Sequence, residues 1–101
     1  MAGPELSPWQ KVMEKNTPEL LKQVTGLQQK VMAEGALSVK TKTLMMVLGD
    51  ALLTHHDGVA SLAKRARALG ASEAEIAETV AMAFMMGGVP ALVTATNAFR
   101  D

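Results

Sequence analysis

The chain contains no cysteine. That removes disulfides, thiolate metal sites and cysteine nucleophiles in one stroke. Neither sign of charge is in excess: ten basic and ten acidic residues give a formal net charge of zero with histidine neutral. A nucleic-acid binder would show a basic balance or stripe, so no nucleic acid is expected as a partner. The small Lys64, Arg65, Arg67 cluster reads as a solvated helix face. No apolar run is long enough for a bilayer. The longest, Val80 to Val93, is about fourteen residues and is interrupted by Gly87, Gly88 and Pro90, against the roughly twenty a span needs. The first residues, MAGPELSPWQK, hold no apolar signal core. A soluble cytoplasmic protein without membrane contact is the expectation. No segment alternates with period two for long, which leaves strands unsupported.

What remains is a chain of 101 residues, 49% of them hydrophobic. That fits one domain, residues 1–101, with a real core. A domain this small buries a modest share of its surface and gains from a partner subunit.

Glycine, proline and capping residues cut the chain into helix-sized pieces. Ser7-Pro8-Trp9-Gln10 offers a capping serine, a first-turn proline and a reciprocal glutamine, opening a short helix to about Asn16. Thr17-Pro18 restarts the chain, and Leu20, Leu21, Val24, Leu27 and Val31 follow at helical spacing to about Ala33, before Gly35. Ser38 or Thr41 opens a third helix with Leu44, Val47, Leu48, Ala51 and Leu52 as its buried stripe, ending near Leu53. Thr54-His55-His56-Asp57 has capping-box spacing and starts a fourth helix to Leu69, with Val59, Leu62, Ala63, Ala66 and Leu69 inside. Gly70 terminates it. Ser72-Glu73-Ala74-Glu75 caps a fifth, with Ile76, Val80, Ala83 and Phe84 on one face. Gly87-Gly88 breaks that helix, and Pro90 starts a last one through Phe99. The fold expected is all-α, a bundle of about five to six helices.

The fifth helix is apolar nearly all round, because Ala77, Ala81, Met82, Met85 and Met86 cover its other faces. Such a helix must be covered on more than one side, and a chain this short has few elements to do it. A homo-oligomer is the economical expectation, with methionine thioethers filling irregular gaps.

The stretch from Pro18 to Phe99 resembles the carboxymuconolactone decarboxylase and alkylhydroperoxidase D-like family. The resemblance rests on the lead helix ending near Gly35, the Lys40-Thr41-Lys42-Thr43-Leu44 entry to the central helix, and Ala66 four before Gly70. The Gly70-Ala71-Ser72-Glu73-Ala74-Glu75-Ile76 turn and Gly88-Val89-Pro90-Ala91 complete it. It implies an all-α fold assembled as a trimer or hexamer. The family's peroxidase branch carries C-x-x-C-x-x-x-H at the start of the fourth helix. The resemblance puts its cysteines at His55 and Gly58, an intervening histidine at Asp57, the relay histidine at Leu62 and an acid near Thr43. The decarboxylase branch lacks the cysteines but tends to keep the histidine at the Leu62 position. This sequence therefore resembles a cysteine-less member that departs from both branches at their shared residue.

The candidate site residues are His55, His56, Asp57 and Lys42. Three readings of the histidine pair stand side by side. The first makes it only a helix start, with Asp57 complementing the helix dipole. The second makes His55 a pocket-lining base or hydrogen-bonding group in place of the family's first cysteine. The third is a metal site, which adjacent helical residues about a hundred degrees apart do not favour and which would need ligands from another subunit or from Asp50. No metal and no cofactor are expected. His55 is expected to continue the stripe of Leu44, Leu48 and Ala51 and face inward, with His56 nearer solvent. Two functions stay open. One is an oligomeric small-molecule-binding or accessory protein without thiol peroxidase activity. The other is a lactone- or acid-processing, decarboxylase-type enzyme using His55 or His56 as general base, with Lys42 as counter-charge to a small anionic molecule.

Overall fold

Helix capping explains most of the element boundaries in the computed structural model, which describes residues 5–101. The order is α1 Pro8–Asn16, α2 Pro18–Met32, α3 Val39–Leu52, α4 His56–Ala68, α5 Glu73–Ala95 and a 3-10 turn Thr96–Phe99. Among the described residues there is no strand. The chain divides into two compact units at Ala33/Glu34.

In the first unit, Pro8 occupies the start of α1 and the Ser7 N–H donates to Gln10 Oε1 at 2.8 Å. Trp9 lies on α1, 47% exposed. Thr17 closes α1 and Pro18 opens α2. Of the expected α2 stripe only Leu21 is buried; Leu20, Leu27 and Val31 are exposed.

The second unit holds the main core. Val47 and Ala51 of α3 meet Val59, Leu62, Ala63 and Ala66 of α4 and Ile76, Val80 and Ala83 of α5. Alanine recurs through this core, at Ala51, Ala63, Ala66, Ala71, Ala83, Ala91, Ala95 and Ala98, and small side chains of this kind let helices pack closely. Two buried hydroxyls turn back on their own helices: Thr43 Oγ1 donates to Val39 O at 2.8 Å and Thr94 Oγ1 to Pro90 O at 3.3 Å. Three residues assigned to the core from sequence lie outside it. Leu52 is 37%, Leu69 42% and Phe84 45% exposed. Leu69 follows the last helical turn, and α5 is apolar on so many faces that spacing alone does not pick the inner one.

Ser38, rather than Thr41, caps α3 and accepts from Thr41 N at 3.0 Å. Ser72 and Glu75 form a reciprocal box at the head of α5: Glu75 N donates to Ser72 Oγ at 3.0 Å and Ser72 N to Glu75 Oε1 at 2.8 Å. Lys40 Nζ reaches Glu75 Oε2 at 3.0 Å and ties the first turn of α3 to the first turn of α5.

The C-terminal ends of α3 and α4 share one motif. At α4, Gly70 adopts φ 98°, its N–H donates to Arg67 O at 3.0 Å, and Ala71 N donates to Ala66 O at 2.9 Å. At α3 the left-handed residue is Thr54, at φ 62°; its N–H donates to Ala51 O at 3.3 Å and His55 N to Asp50 O at 2.9 Å. Both are six-to-one closures around a left-handed residue. Thr54 therefore ends α3 and does not cap α4, whose N-cap is His55.

The expected break in the fifth helix is a kink. Gly88 sits at φ 71°, ψ −163°, and the helix resumes through Pro90. The apolar element is longer than the sequence run suggests: Glu73–Phe99, with a most apolar window of mean hydropathy 1.7, has the length and composition to cross a membrane. Its straight part, residues 73–87, rises only about 22 Å, short of the roughly 30 Å of hydrocarbon. Its inner face, with Ile76, Val80 and Ala83, belongs to the core just described, but only 22% of its apolar window is buried, so most of its apolar surface is left outside that core.

Candidate functional site

The turn between α3 and α4 gathers the chemistry. A six-to-one closure brings residues five apart face to face, and here those residues are Asp50 and His55. His55 Nδ1 lies 3.2 Å from Asp50 Oδ1. The second carboxylate oxygen of Asp50 sits over Gly58. A Cβ at Gly58 would overlap Asp50 Oδ2, lie 3.0 Å from Asp50 Cγ and 3.4 Å from His55 Cβ. Asp50, His55 and Gly58 thus form one cluster at the head of α4.

His55 does not face inward in this chain; its side chain is 59% exposed, against 26% for Asp50. The stripe of Leu44, Leu48 and Ala51 does not extend to it, because α3 stops at Leu52 and Thr54 reverses the backbone. His56 is also exposed, and its ring makes no hydrogen bond or ion pair among the described residues. Asp57 turns away to Arg100, its Oδ1 2.9 Å from Nη2. Lys42 lies in the opening turns of α3, half-buried. Ten residues of helix separate it from the far end of α3, a rise of about 15 Å, so one chain does not bring it to His55. No group of three or more histidine, aspartate or glutamate side chains converges among the described residues.

Two adjoining open hollows of about 310 and 360 Å³ lie on the face of α4 that carries Lys64, with Arg100 and Asp101 shared between them. Their guanidiniums are already matched by acids: Arg100 by Asp57, and Arg67 by Glu73 at 2.7 Å. The Arg67 guanidinium holds the Glu73 carboxyl below the usual carboxylate range. Glu75 is likewise lowered, first by the Ser72 N–H and then by Lys40. The two guanidiniums of the hollows are thus engaged by acids, and Lys64 shares both linings with Asp101.

The model of the carboxymuconolactone decarboxylase family matches residues 18–101. The chain belongs to that family. It is also similar to the apo crystal structure of a carboxymuconolactone decarboxylase family protein from Legionella pneumophila, with 31% identity, a TM-score of 0.81, and coverage of 87% of this chain and 79% of that one. Comparison with curated proteins gives no match. The family match starts at the head of α2 and takes in everything after it, which accords with the resemblance drawn from Pro18 to Phe99.

Within the family frame, the positions to which the resemblance assigns the peroxidase relay fall in two places. Thr43 and Leu62 are core residues, 0% and 8% exposed. His55, Gly58 and Asp57 lie at the head of α4, where Gly58 offers no side chain. From the sequence, Asp50 enters only as a possible metal ligand. Its pairing with His55 depends on a left-handed residue between them, and no glycine marks that turn.

Proposed function

We propose that this cysteine-less member of the family is an oligomeric small-molecule-binding or accessory protein without thiol peroxidase activity, its ligand meeting the corner of Asp50, His55 and Gly58. The observation that carries this reading is the burial of Thr43 and Leu62. The positions that would relay protons are filled by a self-satisfied hydroxyl and an aliphatic chain, so the family's relay has no groups to run on. A homo-oligomer, trimer or hexamer, is part of the proposal, as are a soluble protein and a cytoplasmic location. It is supported by the apolar side chains left exposed on α5: Met82, Phe84, Met85, Met86, Val89 and Val93. A small anionic ligand would draw on Lys42 only if a neighbouring subunit brought it to the corner. The test is two-sided. Peroxide turnover with a disulfide-reducing system should be absent, and a panel of small organic acids and lactones should contain at least one compound that perturbs the His55 ring signals by NMR. Peroxide turnover at enzyme-like rates, or a panel that leaves His55 unmoved, overturns it.

The alternative is a lactone- or acid-processing enzyme of decarboxylase type, and one contact favours it. A histidine held by a carboxylate through one ring nitrogen offers the other as a general base. The contact selects His55 over His56. Release of carbon dioxide or opening of a lactone, lost in His55→Gln and kept in His56→Gln, is the expected result if this reading holds.

A further inference from the structure

We infer that Asp50, seated on Gly58, is a positioning residue that fixes His55 as the Nδ1–H tautomer and turns an unprotonated Nε2 outward. Three observations carry it together. The ring nitrogen facing the carboxylate is Nδ1, at 3.2 Å. A carboxylate accepts and does not donate, so the proton of that bond belongs to Nδ1, and in the neutral ring Nε2 is then the acceptor. The second observation is Gly58. It lies inside α4, where glycine is the weakest ordinary helix former, yet any Cβ there would overlap Asp50 Oδ2. The helix gives up propensity at the one position that lets the carboxylate lie down beside the imidazole. The third is the backbone. The His55 N–H is bonded to Asp50 O at 2.9 Å, and Thr54 holds a left-handed conformation between them. Main chain and side chain of the same two residues are thus joined twice, which leaves the ring little freedom to turn its other nitrogen to the acid.

An outward Nε2 acceptor recognises a ligand that presents a proton: a carboxylic acid, an enol, or a carbon acid next to a carbonyl. For this ligand class the inference rests on the reading of His55 as the ligand-facing group; the tautomer itself does not.

The experiment is nitrogen-15 NMR of the two histidines in the full chain, above their titration midpoints. His56, exposed on the next residue, is the internal reference. His55 is expected to show a protonated Nδ1 and a bare Nε2, and His56 the Nε2–H form that free imidazole prefers. In Asp50→Ala and in Gly58→Ala the His55 pattern should move to that of His56. Gly58→Ala keeps the carboxylate in the sequence and only denies it its seat, and alanine suits the helix, so a failure to fold in Asp50→Ala does not remove the test. A His55 tautomer identical to that of His56 in the parent chain overturns the inference, as does a His55 pattern untouched by both substitutions. A fixed Nδ1–H tautomer with ligand binding indifferent to His55→Gln would overturn the functional reading and uphold this one.

Discussion

Thr54 is the residue on which the corner turns. A β-branched side chain in the left-handed region costs roughly 1–2 kcal/mol, and the matching position at the end of α4 is filled by Gly70 at no such cost. Glycine at 54 would relieve that strain while giving the unfolded chain more freedom, an opposing effect of roughly 0.5–1 kcal/mol. The first effect is larger, so Thr54→Gly should stabilise the fold by roughly 0.5–1 kcal/mol, read as a higher urea midpoint with unchanged slope. Gly70→Ala should do the reverse, costing about 1 kcal/mol or more. Equal midpoints for the two variants would contradict this account. The same residue shows where the sequence was misleading. Thr54 and Asp57 have the spacing of a capping box, and the pattern is satisfied on paper. The helix end needs a left-handed residue, however, and between Leu52 and Asp57 there is no glycine to announce one. Once Thr54 takes that role, His55 becomes the cap and leaves the stripe that was to bury it.

At the scale of the element, α4 was the most legible. Its stripe alternates with charged residues, and Val59, Leu62, Ala63 and Ala66 are all buried as the spacing requires. In α5 the spacing carries little information, because apolar residues surround the axis; Ala83 is fully buried and its neighbour Phe84 is not. Gly87 has a packing role that composition hides. A Cβ there would lie 2.8 Å from Leu52 Cδ2 and 2.6 Å from Ala91 Cβ. Gly87→Ala should therefore push α5 from the end of α3 and cost about 1–3 kcal/mol as an overpacked contact, measured by chemical denaturation. The head of α5 makes a pH prediction. Glu75 is held below the usual carboxylate range by the Ser72 N–H and by Lys40, and Glu73 by Arg67. A carboxyl lowered in the folded state gives stability that is present above its unfolded pKa, about 4.3, and is lost as pH falls through the lower folded value. The thermal midpoint should hold near neutrality and fall below about pH 4.3. Glu75→Gln should flatten part of that fall; an unchanged acid limb would show that these contacts do not act on stability.

For the whole molecule, the all-α class and the family were readable from caps, glycines and the Pro18–Phe99 pattern, because each is written in local sequence. The candidate site was only half readable, since the Asp50–His55 contact is made by a backbone reversal. The proposed assembly draws on what is left over: Met82 is 50%, Met85 72% and Met86 67% exposed on one helix. Exposed apolar surface of this kind is removed from water most simply by symmetric association. Met85→Glu should then shift the species seen by light scattering toward the monomer without reducing helicity, whereas a parent chain that is already monomeric at micromolar concentration would dismiss the oligomer.

The division at Ala33/Glu34 also decides what light can report. The chain has one tryptophan and no tyrosine, and that indole is Trp9 on α1, in the first unit. Emission excited at the red edge of protein absorbance therefore originates wholly outside the unit that carries Asp50, His55 and Gly58. A fluorescence melt follows the surroundings of α1, while circular dichroism follows chiefly α3, α4 and α5. Two different transition temperatures from the two instruments would be the optical signature of two units that melt apart. A tryptophan placed at Phe99, already half-exposed at 49%, would give the second unit a reporter of its own.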